Sequence, residues 1–508
     1  MRDAPQAVVL GGGIAGLAAA RLLARHFDRV VVLERDRRDD VHSPEDAFSD
    51  WERPGASQFQ HSHAFLARTR LVLLAHLPDV LDRLRAVGVP EMPLAETTPP
   101  GLTLPPRADD EDVVLLACRR ATLEWALRAS LRAWPNVELR EGVRVAGLEG
   151  LPHDGARPQV TGVRLVDGTA VPADLVVDAT GRRSRAPEWL AALGASRPQE
   201  EEGDIGLIYF TRFYRRGAGD GPQATTGLVA GDLGWVKLAV FPGDAGTFSI
   251  TVGAPADDDA LRRLADPECF ERFVSAFPSV ARWRRPHAAA PIAGDGTPVL
   301  VLGVLRNRRR RFVDAGGPLA PGLVVLGDAA YHTNPIYGRG ATMALVQAAL
   351  LDEALGTHGA DVHAVARHVD RRSEQELRPF FDAALAADRA RLGLTGYGPS
   401  DPRAWLVSAA DRAMGWFLQR GVLPAMRVDP VVFRGLMRIF NMLEPPEGLL
   451  RNPELVVRSL AVLGRVVAGL EPTPRIGTVT RAEALAHLDA GAGVAPRPGR
   501  VSQGDPWA

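Results

Sequence analysis

Ala7-Val8-Val9-Leu10-Gly11-Gly12-Gly13-Ile14-Ala15-Gly16-Leu17-Ala18-Ala19-Ala20 is the stretch that decides the fold. Its four leading apolar residues show no polar alternation, the pattern of a strand buried on both faces of a parallel sheet. Gly11, Gly13 and Gly16 fit G-x-G-x-x-G, and an alanine- and leucine-rich helix then runs to about His26. Gly11 permits the tight turn. Gly13 lets the backbone approach a pyrophosphate, whose charge the helix N-terminus meets through Ile14 and Ala15. Gly16 allows close packing of helix on strand. Arg29 to Leu33 reads as a second apolar strand. It ends at Glu34, roughly twenty residues past the glycines, where an acid can bind ribose hydroxyls. Together these form a βαβ unit, so the chain opens as an α/β protein with a Rossmann-type nucleotide-binding domain.

Working outward, Leu175-Val176-Val177 and Leu323-Val324-Val325-Leu326 repeat the buried-strand texture. Leu71 to Val87, Ala121 to Ala133 and Ala341 to Leu355 read as helices, and Val163 to Val171 as a hairpin turning at Asp167-Gly168. Pro44 to Gln60 reads as a loop and Pro90 to Asp112 as a surface cover. Between about Ala195 and Val304 the texture alternates, as in Thr247-Phe248-Ser249-Ile250-Thr251-Val252, which predicts an inserted antiparallel sheet with one buried face. From about Ala364 amphipathic helices dominate. The division expected is residues 1–194 and 305–362 for the nucleotide-binding domain and 195–304 for a substrate domain. Residues 363–490 would form a helical C-terminal region, and 491–508 a disordered tail.

Composition excludes several classes. A net charge of -1 over 508 residues argues against a general nucleic-acid binder. Lys237 is the single lysine. Cys118 and Cys269 stand far apart, with no disulfide framework, which suits a reducing cytoplasm. No basic-then-apolar leader and no run long enough for a transmembrane span is expected. His61 and His63 are two apart, but no third ligand stands nearby, so no metal is expected.

Two further motifs sharpen the picture. One is Asp174-Leu175-Val176-Val177-Asp178-Ala179-Thr180-Gly181-Arg182-Arg183-Ser184, where a strand end turns sharply at Gly181. The other is Gly327-Asp328-Ala329-Ala330 followed by Asn334-Pro335-Ile336-Tyr337-Gly338-Arg339-Gly340. With Glu34-Arg35, these resemble, in order, the fingerprints of the para-hydroxybenzoate-hydroxylase-like (group A) flavoprotein monooxygenases. The helical C-terminal part is similar to the polyene epoxidase and secondary-metabolism hydroxylase branch. The resemblance implies non-covalent FAD. It places Asp178 and Gly181 near the pyrophosphate and Asp328 on the ribityl chain. Pro335, Gly338, Gly340, Ala341 and Thr342 would surround the flavin ring. The positive end of the helix near Ala341 would favour the reduced, anionic flavin. Arg120, or its neighbour Arg119, matches a cofactor-reaching arginine at a helix start, and Val145 a position beside the adenine. Asp178-Ala179-Thr180-Gly181 departs from the family's Asp-Gly pair, and Tyr331 stands where histidine is usual, with His332 next.

The resemblance further implies a monooxygenase. It would pass one oxygen atom from O2 to an apolar organic substrate, as an epoxide or hydroxyl, through a flavin C4a-hydroperoxide, with NAD(P)H or a separate flavin reductase as electron source. His61 and His63, in Gln58-Phe59-Gln60-His61-Ser62-His63, and Tyr337 are candidate bases for a phenolic substrate. The same fold also hosts flavin dehydrogenases and reductases. A flavin halogenase would need a lysine beside the flavin and a Trp-x-Trp-x-Ile-Pro segment; Trp235-Val236-Lys237-Leu238 does not match. The run Arg306 to Arg311 reads as a solvated loop, or as a contact for an NADPH phosphate or acidic partner. Glu200 to Glu202 and Asp257 to Asp259 read as exposed. The C-terminal helices pack as core, cap a greasy pocket, or lie on a membrane surface.

Overall fold

The computed structural model describes residues 4–38, 41–151, 157–217, 229–284, 289–292, 297–394, 402–470 and 479–490. The expected tail at 491–508 lies outside the described residues. Five parallel strands stand in the order Leu323–Val325, Leu175–Asp178, Gln6–Leu10, Arg29–Glu34, Val137–Glu141. Val8 sits in register with Val31 on one side and Val176 on the other, and the first, second and fourth of these strands in the chain are almost wholly buried. Uninterrupted β-branched runs suit this double burial. From the first strand the chain builds outward on one side, then returns to the other. The end of Gln6–Leu10 is therefore a topological switch point, where such sheets open a crevice. The glycine turn lies there. Helix Ile14–Leu23 packs against helix Gly340–His358, which is buried along most of its length.

The inserted sheet has six strands and is antiparallel: Val229–Asp232, Lys237–Pro242, Thr247–Pro255, Leu207–Arg216, Ala289–Pro291, and Leu300–Leu302 beside the fourth of these. Phe248, Ile250 and Val252 face a separate core with Phe270 and Phe273 of helix Pro267–Ser275. The alternate residues do not face water. Thr211 and Ser249 are buried, and Ser249 and Thr251 hydrogen-bond Ser62 at 2.6 and 2.7 Å. The hydroxyl face of this sheet thus closes on the segment that carries His61 and His63. Asp244 fastens the same contact. Its buried carboxylate accepts bonds from the Arg119 backbone and guanidinium and from the Thr122 hydroxyl.

Several expectations need correction. The basic run is not a solvated loop. Arg306–Arg311 is a strand paired antiparallel to Gln199–Asp204, so its acidic partner is the chain's own Glu200 to Glu202. Arg310 meets Glu200 at 3.1 Å, and Arg309 pairs with Glu374. Two like-charged runs that would each repel themselves neutralise one another across a ladder. Asp258 likewise caps a helix and pairs with Arg481 at 3.0 Å. Pro44–Asp50 is a helix capped by Ser43, not a loop. The stretch expected as one helix is two, Ala67–His76 and Pro78–Ala86, because Pro78 lacks the N–H to continue and drives Leu77 to ψ 51°. Pro90 to Asp112 is not merely a cover: Met92 and Leu94 join a core with Phe433 and Met437 of helix Pro430–Phe440. Helix Arg481–Asp489 leaves the C-terminal helices and buries Ala484 and Leu488 in the core of the inserted sheet. No helix of the described residues is long and apolar enough to cross a membrane.

Candidate functional site

A cavity of about 550 Å³ opens at the switch point, between the parallel sheet, the inserted sheet and helix Gly340–His358. The glycine turn forms one wall. Gly11 takes φ +94° and donates its N–H to Leu33 O at 2.8 Å, which bends the chain directly out of the first strand. Gly13 stands at the N-cap of helix Ile14–Leu23, where no side chain caps the helix and no acid lies in the first turn. Helix Gly340–His358 starts in the same way, with no capping side chain and no acid in its first turn. Gly13, Ile14, Ala15, Gly340 and Ala341 all line the cavity. Two helix N-termini thus present orphan N–H groups and positive dipole ends to one space.

Arg120 lines the cavity, with one guanidinium nitrogen 3.6 Å from where a Cβ on Gly13 would stand. Its Nε donates to Glu124 Oε1 at 2.7 Å. Arg119 points elsewhere, into Asp244 and Glu45, so of the two neighbouring arginines Arg120 is the one at the cavity. Glu124 is fully buried and also holds Arg38 at 3.4 Å and Arg53. Burial opposes its ionisation, but Arg53, Arg120 and Arg38 override burial and bring its pKa down to about 2. Sequence reasoning missed Glu124, although it lies four residues after Arg120 on a helix, the spacing at which an acid and a base meet.

Glu34 lines the cavity, and its carboxylate braces the turn, accepting from Gly12 N–H at 2.6 Å and Asp36 N–H at 2.9 Å. Arg35, Val145, Gly181, Asp328, Pro335 and Gly338 are also on the wall. The Asp328 carboxylate has no hydrogen-bond donor among the described residues and stands beside the start of helix Gly340–His358. Four expected residues do not reach the wall. Gly16 packs under Gly11, where a Cβ would come within 1.8 Å of Gly11 O. Asp178 is fully buried and accepts from the Thr180 and Ser184 hydroxyls, so it shapes the turn after its strand. Thr342 is buried against the Thr69 hydroxyl at 2.8 Å. Tyr337 lies under the Arg339 guanidinium, 4.8 Å from its ring centre, and burial raises its phenol to about 12, which disfavours a role as base. Lys237 pairs with Asp232, and among the described residues none of the C-terminal helices lines the cavity.

His61, Ser62 and His63 line the cavity at the inserted sheet. His61 Nδ1 lies 3.2 Å from Thr211 Oγ1, and His63 Nδ1 lies 2.9 Å from His61 O. Burial lowers His61 to about 4; burial and then Arg120 lower His63 to about 3. Both are neutral at pH 7. The unfolded chain protonates its histidines near 6.5, so below that pH the unfolded state takes up protons that the folded state refuses. Stability therefore falls as pH drops from about 6.5 toward 4. We expect His61→Asn/His63→Asn to show a flatter loss of melting temperature over that window than the parent, measured by thermal melts from pH 7 to 4.5. An unchanged slope would contradict neutral buried histidines. Among the described residues no group of three or more His, Cys, Asp or Glu is placed to hold a metal ion.

These features agree with comparison to known proteins. The NAD(P)-binding Rossmann-like domain family matches residues 9–45, the glycine turn and its flanking strands. Over a longer span, the chain is 29% identical to Protein Rv3254 of Mycobacterium tuberculosis (strain ATCC 25618 / H37Rv), across 91% of this chain and 93% of that one. Among solved structures, it is similar to PqsL, a probable FAD-dependent monooxygenase from Pseudomonas aeruginosa. The TM-score is 0.53 and the identity 18%, over 80% of this chain and 99% of that one. The flavin-dependent brominase Bmp2 gives 0.53 and 15%, over 91% and 98%. The chain thus has the fold of the FAD-dependent monooxygenases, as its three motifs implied, and that fold also carries halogen chemistry.

Proposed function

We propose that this protein is an FAD-dependent monooxygenase. The observation that carries the reading is the convergence of the glycine turn, two uncapped helix N-termini and Arg120 on one cavity at the switch point. The donor set fits the cofactor. Gly13, Ile14, Ala15 and Arg120 suit a pyrophosphate, and Glu34 and Asp328 offer acceptors to ribose and ribityl hydroxyls. Arg35 and Val145 flank the adenosine side, and Pro335, Gly338, Gly340 and Ala341 the ring. The nucleotide-binding body is then residues 1–194 with 305–362, and the inserted sheet in 195–304 covers the reacting side. When bound, FAD supplies the oxygen-activating chemistry.

The chain's own residues bind, orient and exclude water. Leu302 and Leu305 give the substrate end an apolar wall, and His61, Ser62 and His63 a polar one. The neutral imidazoles there accept a hydrogen bond from a phenol, but burial leaves them weak as bases, which suits an alkene better, since epoxidation needs no base. One oxygen atom goes to the substrate and the other leaves as water. The electrons come from NAD(P)H, bound transiently, or from a separate reductase.

The test is to reconstitute the protein with FAD, reduce it anaerobically, add O2, and compare oxygen consumed with hydrogen peroxide released. Polyenes and phenols are added in turn. A monooxygenase retains oxygen in product, so peroxide per O2 falls with one substrate class. Peroxide equal to O2 consumed with every compound would favour a dehydrogenase or reductase instead.

A further inference from the structure

Ten of the sixteen exposed large apolar side chains among the described residues fall within residues 402–470. Helix Pro453–Val467 shows the pattern most clearly. Leu455, Val462 and Val466 pack inward with Ala425 and Val432. The outward face of such a helix is ordinarily polar. Here Val457, Leu460, Ala461, Gly464 and Val467 are exposed, at i, i+3, i+4, i+7 and i+10, which is one continuous stripe. Glu454, Arg458 and Arg465 are confined to a strip between the two faces. A helix apolar on nearly all sides is normally a buried one, and half of this one is bare. Helix Pro402–Phe417 repeats the arrangement, with Leu406, Ala410, Ala413 and Met414 exposed on one face and Trp416 at its edge. Both helices adjoin the turn Leu418–Val422. Single apolar residues on a surface need no explanation, but adjoining stripes do.

Charge indicates what covers them. Residues 402–470 hold nine arginines against five acids, in a chain whose net charge is -1. Arg412, Arg420 and Arg451 are exposed and have no carboxylate partner among the described residues. Arg412 and Arg420 stand four residues to either side of the exposed Trp416, and Arg451 follows the exposed Leu450. Free cations are thus interleaved with bare apolar side chains. We infer that this face lies on a bilayer surface bearing anionic phospholipid, with the stripes in the headgroup boundary and the arginines on the phosphates. Helix Pro453–Val467, at 15 residues, falls short of the about 20 that a span needs, so it lies along the interface. A second copy fits less well. In a two-fold pair the same patch meets itself, and like surpluses of positive charge repel.

The full chain, purified without detergent, is sedimented with vesicles of phosphatidylcholine alone and of phosphatidylcholine mixed with phosphatidylglycerol, at low and at high salt. Its mass without vesicles is measured by light scattering. The expected result is a monomer that pellets with the anionic vesicles, is partly released by salt, and binds the neutral ones weakly. Val457→Ser/Leu460→Ser/Val467→Ser should bind the anionic vesicles on the order of a hundredfold more weakly. Arg412→Gln/Arg420→Gln/Arg451→Gln should lose the preference for anionic over neutral vesicles. Both variants should keep the parent melting temperature, because every changed side chain is exposed. Wild type that stays in the supernatant with both kinds of vesicle overturns the inference. Equal binding by wild type and the serine variant also overturns it, since lipid would then be met elsewhere. A wild-type dimer that the serine changes convert to monomer, with no vesicle binding by either, would assign the face to a second copy instead. A lower melting temperature in the serine variant would show that the stripe packs inside the protein, and the inference falls.

Discussion

Gly13→Ala folds as the parent does and loses flavin, whereas Gly16→Ala loses the fold. The two glycines lie in one motif, yet the space around them differs. Gly13 sits at φ -85°, open to any residue, and an added Cβ meets only the Arg120 guanidinium at 3.6 Å. The methyl group would fill space that belongs to the ligand. We expect FAD affinity to fall by about 100-fold or more, ~3 kcal/mol, with an unchanged melting temperature for the FAD-free protein. At Gly16 the Cβ would stand 1.8 Å from Gly11 O and 3.0 Å from Gly11 C, both backbone. Helix and strand must separate, at a cost of about 3 kcal/mol or more. Denaturant unfolding and FAD titration of the two variants check this. Equal behaviour of the two would contradict the assignment of one glycine to ligand and the other to packing.

Glu124→Ala has the second large effect, because it removes a buried carboxylate that three arginines share: Arg38 keeps Glu141 and Arg53 keeps Glu34 and Asp36, but Arg120 is left without one. Arg38, Arg53 and Arg120 all contact this one buried carboxylate. Removing one partner of a buried ionic cluster costs about 3–5 kcal/mol. Arg120 would also lose the bond that aims it at the turn, so FAD binding weakens in whatever fraction folds. The pH dependence has a definite sign. The folded pKa of about 2 lies below the ordinary 4.5, so the stabilisation is complete above 4.5 and is lost as pH falls toward 2. Acid unfolding of the parent should steepen in that window, and Glu124→Gln should lose the feature while keeping the side-chain volume. A Gln variant with the parent's acid profile would show that Glu124 is not ionised in the folded protein.

The reach of sequence reasoning followed the range of the interactions. Local rules found the glycine turn, the strand ending at Glu34 and the Asp167-Gly168 hairpin, where Gly168 takes φ +89°. They also brought Arg120, Asp328, Gly338 and Gly340 to one wall, because each belongs to a motif whose turn fixes where it points. Long-range pairing was not legible. Nothing in Arg306 to Arg311 says that its ladder partner lies about a hundred residues earlier, across the whole inserted sheet. The alternation at Thr247 to Val252 announced one apolar face, but not that Ser62 would cover the other. Asp178 and Tyr337 fell short for a different reason: motif position marked them, and burial turned their groups inward.

The most direct test of monooxygenation is a single turnover of the pre-reduced, FAD-loaded protein with 18O2 and a panel of polyenes and phenols, followed by mass spectrometry of the products. A monooxygenase gives a product carrying one 18O atom, with the other recovered in water. A product without 18O, or no product and all the label in hydrogen peroxide across the panel, would contradict it.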